Sequence, residues 1–282
     1  MFQRIATALL LAGVLTTPAL AAGGESADAP AGPVSTIALG YELYISGLTL
    51  GHVDVSARIQ GGAYQAQSTL DTKGLISIFW QAHIEASANG RLGPGMLKPA
   101  LYDAYSTHRD KRQQVTMTYG PGGPIMVEAT PPYSKKYPVS EEQQRNTVDP
   151  LSAMLFVLTG VTANEQNPCG TAAPIYDGRR RYDVQLVYVR TKSVTMDNGA
   201  YAGPALVCQI KYIQIAGFKQ KILEEGKRLP QMFAWIVSMP SRSDPTRRFL
   251  VPVKLWAETD WGTATAVASR IQLDGANVAK AS

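Results

Sequence analysis

Apolar residues recur with a period of two through most of this chain, and that rhythm dictates a sheet. Ile37, Leu39, Tyr41, Leu43 and Ile45 alternate with smaller or polar residues, and the pattern resumes after Gly47 at Val53, Val55, Ala57 and Ile59. Alternation of this kind buries one face of a strand and wets the other, the mark of antiparallel pairing. It returns at 64–70, 83–88, 100–107, 114–119, 125–129, 182–189, 193–196, 206–215, 233–239, 251–259 and 264–273. Asn89-Gly90, Pro94-Gly95 and Pro121-Gly122-Gly123 supply turns between them. About a dozen twisted strands in one sheet must curl or split into layers. The expected fold is therefore mainly β: a single strongly curved antiparallel sheet, a half-barrel or β-spiral, with one or two short helices.

One segment breaks the rhythm. Asp149-Pro150 reads as an N-cap followed by a first-turn proline, and Leu151, Met154, Leu155 and Leu158 form an apolar stripe that ends at Gly160. This predicts a short helix packed across the concave face of the sheet. The stretch from Gly74 to Trp80 is too short and too apolar to assign by period; a helical turn and a loop covering a cavity both fit it. Residues 131–146, with Pro131, Pro132 and Pro138, read as a surface connector. The patterns on either side of it are alike, so 36–282 is expected to be one β-rich domain.

The first residues point to export. Arg4, an uncharged apolar run over 5–15 and the small-x-small site Ala19-Leu20-Ala21 make 1–21 a secretory signal peptide. That run is shorter than the roughly 20 residues a bilayer span needs, and no cysteine follows the site to carry lipid. Residues 22–35, rich in Gly, Ala and Pro, are expected to be a flexible leader. The mature chain is thus expected in the periplasm, with no transmembrane segment. Two cysteines in an oxidising compartment pair far more often than they stay free, so Cys169 and Cys208 are expected to be joined. The formal charge of +5 falls to +4 once Arg4 leaves with the signal. Such an excess suits anionic lipid headgroups or glycans of an envelope, whereas the compartment argues against nucleic acid.

Chemistry is harder to find. The chain has no Gly-x-Ser-x-Gly elbow, no His-Glu-x-x-His, no phosphate-binding glycine loop and no dinucleotide fingerprint. The histidines, His52, His83 and His108, lie far from the cysteines, and no metal or other cofactor is implied. His83 and Glu85 alternate onto one face of a strand, the nearest approach to a base with a carboxylate partner, although half-buried polar positions on a wet sheet face explain them as well. Glu224-Glu225, among lysines, read as a solvated hairpin tip. No catalytic residue is assigned.

Two groups of residues are candidates for other work. Asp177, Arg179, Arg180, Arg181 and Asp183 form a charged cluster around an Asp-Gly turn, and strand parity sends Arg180 to the face opposite Arg179 and Arg181. The cluster is expected beside the disulfide, either as ion pairs that orient the hairpin or as an anion site. The large apolar residues read mostly as core. A curved sheet covered by one short helix could still leave an apolar groove, for which Leu75, Phe79, Trp80, Leu151, Met154 and Leu155 are the candidate ligand-binding residues.

At these residues the chain resembles a family of exported bacterial proteins called domain of unknown function 3108. The resemblance spans roughly 36–274 and rests on Gly40-Tyr41-Glu42-Leu43-Tyr44, Thr72-Lys73-Gly74-Leu75, Asp149-Pro150-Leu151-Ser152-Ala153, Cys169-Gly170, the run from Tyr176 to Asp183, Ala216-Gly217-Phe218, Val251-Pro252-Val253 and Trp261-Gly262. It implies no activity or catalytic residue. Its implied architecture is similar to the half-barrel sheets of periplasmic lipoprotein carriers and of envelope-integrity proteins, an analogy of fold alone. The leading expectation is a non-enzymatic periplasmic protein supporting envelope integrity, with a lipid, lipoprotein or envelope protein as partner. An envelope hydrolase acting on glycan or lipid, through His83, Glu85 or an acidic pair that the sequence does not reveal, and a ligand-free scaffold are the alternatives.

Overall fold

The computed structural model describes residues 32–74, 81–93, 95–109, 111–132, 136–170, 173–220, 223 and 230–278. In chain order the elements are β1 (Val34–Ile45), β2 (Leu48–Gln60), β3 (Ala63–Thr72), β4 (Ala82–Gly93), β5 (Met96–His108), β6 (Lys111–Gly120), β7 (Gly123–Thr130), α1 (Glu141–Gln144), α2 (Pro150–Leu158), β8 (Ala173–Tyr176), β9 (Arg181–Thr195), β10 (Ala202–Ala216), β11 (Met232–Pro240), β12 (Arg248–Thr259), β13 (Gly262–Leu273) and β14 (Ala276–Asn277). The strands form one antiparallel sheet of 14 in the order β7-β6-β5-β4-β3-β2-β1-β13-β12-β11-β10-β9-β8, with β14 on β13. Two meanders are thus joined through β1 and β13, whose register pairs Ile37 with Leu273.

The alternation explains the two faces. Ile37, Ala57, Ala66, Ala88, Tyr102 and Met117 are register partners across six strands, and all are buried. The neighbouring row, Ala38, Ser56, Gln67, Ser87, Asp103 and Thr116, is largely polar and faces outward. Alanines at the middle of the inner row leave room for α2, which lies against β3, β4, β5, β8 and β12. Leu151, Ala153, Leu155, Phe156 and Leu158 are all buried together with Ser152, so the helix has no wet side and fills the curl against the concave face of the sheet. Asp149 caps it as expected, accepting from the Ser152 N–H at 2.8 Å.

The sheet does not close on itself, and β7 and β8 remain as edges. The chain between them spans the gap. Asn146 N–H donates to Gly122 O at 2.9 Å, Val148 N–H to Pro174 O at 2.9 Å, and Tyr176 N–H to Val148 O at 3.0 Å. Residues 146–148 thereby satisfy the free edge of β8 while touching the β6–β7 turn, which removes an unpaired edge that would invite association. Gly123 (φ +123°) permits the approach, because a Cβ there would sit 2.8 Å from Gln144 O.

On the outer face of the second meander the loop 160–170 covers a smaller core of Cys169, Leu186, Cys208, Ala234, Ile236 and Leu250. The Cys169–Cys208 disulfide, with Cα atoms 6.0 Å apart, fastens that loop to β10.

The observed elements correct the expected ones in places. The two patches 182–189 and 193–196 are one strand, β9, interrupted by a bulge: Tyr188 pairs with Cys208 and Arg190 with Val207, so the extra residue reverses the alternation and makes one strand look like two. The connector 131–146 contains the four-residue α1, closed by a capping box at Ser140 and Gln143. The short β8 carries too few residues for periodicity to show.

Candidate functional site

A pocket of about 590 Å³ opens at the seam between the two edges of the sheet. The start of β5 contributes Met96, Leu97, Pro99 and Ala100, the end of β6 contributes Tyr119, and the spanning segment contributes Asn146, Thr147 and Val148. Phe156 of α2 and Ala173 and Pro174 of β8 complete it, with the exposed Lys98 at its side. Among the described residues the backbone bonds that cross the seam lie at 146 and 148, and the pocket opens beside them between β5 and β8. Its size and apolar lining suit a small hydrophobic ligand.

Next to it lies a buried polar centre. Asp149 is inaccessible to solvent, and its second oxygen accepts from the Ser152 hydroxyl at 2.6 Å. Tyr64 OH meets the same hydroxyl at 2.7 Å. Burial pushes the Asp149 carboxyl up to about 6, although the bonds from Ser152 and nearby backbone N–H groups oppose the rise. Tyr119 points into this region; its hydroxyl is buried and has no hydrogen-bond partner among the described residues, and burial, with the Asp149 charge nearby, holds it as a neutral phenol.

Of the expected groove residues, Leu151 and Leu155 are buried in the core and Met154 packs against it half-buried. The helix side chain in the pocket wall is Phe156, which the stripe of Leu151, Met154, Leu155 and Leu158 passed over. Stripe logic presumes a helix with a wet side, and α2 has none. Leu75, Phe79 and Trp80 lie outside the described residues, as do Glu224 and Glu225.

The charged cluster forms, but away from the bridge where it was expected. Register places Cys208 opposite Tyr188 and Ala216 opposite Arg181, seven residues along β9 and roughly 23 Å at ordinary strand rise. The cysteine loop reaches β10 across the outer face, which sequence proximity does not reveal. Within the cluster, one Asp177 oxygen accepts from the N–H groups of Arg179 (2.8 Å) and Arg180 (2.6 Å), making the turn. Burial raises the Asp177 carboxyl while these bonds oppose the shift. Arg181 donates to Asp183 at 2.6 Å, Tyr182 O at 2.7 Å and Gln143 O at 3.1 Å. Arg179 donates to Pro131 O at 3.2 Å. The guanidinium of Arg180 lies 5.6 Å from the Phe218 ring centroid. Arg179 and Arg181 thus tie the second meander to the connector that leaves the first, and they stand at the seam.

Two of the three histidines, His52 and His83, sit on the outer face in matching arrangements. His52 touches Glu42 (2.9 Å) and Asp54 (2.7 Å), and Arg270 also pairs with Asp54 at 2.6 Å. His83 touches Asp71 (2.7 Å) and Glu85 (3.1 Å). In each case one nitrogen meets the cross-strand neighbour and the other the residue two along its own strand. The hydrogen bonds that the ring makes to the Asp71 and then the Glu85 carboxylate raise the His83 pKa above its ordinary value. Among the described residues no group of His, Cys, Asp and Glu is arranged to hold a metal ion.

No curated protein matches the chain. The crystal structure of a beta-barrel-like protein of domain of unknown function DUF1849 from Brucella abortus is similar to it over 86% of this chain and 99% of that chain, with 10% identity and a TM-score of 0.47. The profile of the protein family of unknown function DUF3108 matches residues 40–269. With the curled sheet, the disulfide and most of the chain inside that match, the protein is a member of the DUF3108 family.

Proposed function

We propose that this is an exported, non-enzymatic envelope protein that binds a hydrophobic ligand in the seam pocket, and that its contribution to envelope integrity runs through that ligand. The observation that carries the reading is the 590 Å³ apolar pocket at the one place where the sheet fails to close. Export is supported by the disulfide and by the signal-like first residues. Among the described residues no helix is long and apolar enough to cross a membrane. Against a hydrolase stands the placement of His83 on the outer face of the sheet, where Asp71 and Glu85 occupy both ring nitrogens. The test is titration with a fluorescent fatty-acid probe. Saturable binding that phospholipid displaces is expected, and Met96→Glu, which puts a charge at an exposed point of the lining, should weaken it roughly tenfold or more. Failure of the probe to bind, or binding indifferent to Met96→Glu, would remove the pocket from the function.

A further inference from the structure

Three cross-strand rows of outward side chains lie side by side on the outer face, and the middle one is shallow. It reads Gln272, Ala38, Ser56, Gln67, Ser87 and Asp103 from β13 through β1 to β5. On one side of it stand Arg58, Gln65 and Asn89, and on the other Asp54, Thr69, Glu85 and Tyr105. Ala38, Ser56 and Ser87 are too short to fill the space between these longer neighbours, so the face carries a trough. One lobe, of about 640 Å³, runs from β13 over β1 to β4, and a second, of about 300 Å³, runs over β3 to β5. The lobes share Gln67 and Ser87. From β13 to β5 is a distance of five strand spacings, roughly 24 Å.

The polar groups in the trough are unlike their neighbours. Around it the charged side chains are spent on one another: His52 and Arg270 on Asp54, and His83 on Glu85, while Asp103 accepts from the Thr116 hydroxyl at 2.6 Å. The side chains of Ser56, Gln65, Gln67, Ser87, Asn89 and Tyr105 have no hydrogen-bond partner among the described residues. The first four are exposed and the last two half-buried. Hydroxyls and primary amides each donate and accept, as the hydroxyl and acetamido groups of a sugar do. An anion would meet a single guanidinium, that of Arg58, which already donates to Gln60 at 2.8 Å, and would face the carboxylates of Glu85 and Asp103. An apolar ligand would cover the amides and leave them unpaired.

We propose that this trough binds an uncharged oligosaccharide chain. The amides of Gln65, Gln67 and Asn89 and the hydroxyls of Ser56 and Ser87 take its polar groups, and Tyr105 stands at the end of the second lobe. The trough shares no lining residue with the seam pocket, so it stands or falls apart from the hydrophobic-ligand reading.

The test is calorimetric titration of the purified chain, disulfide intact, with the N-acetylglucosamine tetramer and with maltotetraose, both uncharged. Saturable binding of at least one is expected, with a dissociation constant that does not change between low and high salt. Gln67→Ala combined with Asn89→Ala removes two amides and should raise that constant roughly tenfold or more. Ser87→Trp, which fills the point shared by the two lobes, should do the same by bulk. Thermal melting should change little in either variant, because none of these side chains belongs to the core. Met96→Glu, in the seam pocket, should leave sugar binding as it is. Absence of saturable binding by either tetramer, or binding that either variant leaves intact, would overturn the proposal. So would tighter binding of heparin fragments that weakens with salt, which would mark a polyanion site.

Discussion

Two carboxylates with opposite environments set how this protein responds to acid. Asp149 is buried at the N-terminus of α2, and desolvation lifts its carboxyl from the ordinary 3.8 to about 6. The folded state therefore binds this proton more readily than the unfolded chain, so stability rises as pH falls from about 6 towards 4, by on the order of 2 to 3 kcal/mol. Asp274 runs the other way. Burial there would raise its pKa, but the N–H groups of Thr36, Ser243 and Arg242 and the Ser241 hydroxyl outweigh it and bring the carboxyl down to about 2. Its contribution is present above pH 4 and is lost as pH falls towards 2. Urea unfolding across this range should show greatest stability near pH 4 to 5 as far as these two groups decide it. Asp149→Asn keeps a good cap and, being neutral at every pH, should flatten the profile between about pH 4 and 6 and bring neutral stability towards that of the protonated wild type. A wild-type profile unchanged by Asp149→Asn would show that this carboxyl is not the titrating group.

At the scale of elements, the loop 160–170 behaves as a second cover. It has no regular structure of its own and packs on the outer face of β9 to β12 through Cys169 and its neighbours. The disulfide closes a separation of 39 residues, worth roughly 3 to 4 kcal/mol if its action is chiefly on the unfolded chain. Replacing both cysteines with alanine should lower stability by about that amount and speed amide exchange in 160–170 and β10 more than in β1 to β6. Uniform loss across the sheet would mean that the bridge stabilises the whole fold rather than this cover. The α2 helix contrasts with the loop, because its cap and proline were plain in the sequence while its setting was not. A helix surrounded by strands on both sides shows no polar face, so a stripe picked from its sequence selects core residues and misses Phe156.

At the scale of the molecule, the seam is where the two meanders meet through few contacts. Arg181, with a side chain only 12% exposed, reaches Asp183 and the backbone of Tyr182 and Gln143 there. Arg181→Ala should cost about 1 to 3 kcal/mol and increase exchange in β8, because it leaves Asp183 unpaired and frees the connector. Arg180→Ala, at an exposed position, should stay within about 0.5 kcal/mol. A loss of less than about 0.5 kcal/mol for Arg181→Ala would make the cluster solvated decoration. The alternation from Ile37 to Leu273, the cap at Asp149 and the pair of cysteines determined the strands, the helix and the bridge, since each is written in local spacing or in the count of thiols. Only the tertiary structure decided that β1 pairs with β13, that residues 146–148 span the open edges, and that the pocket lies in that seam. Pairing across more than two hundred residues leaves no periodic trace, a bulge in β9 reverses the alternation that sequence reading relies on, and a cavity is set by side chains that fail to meet.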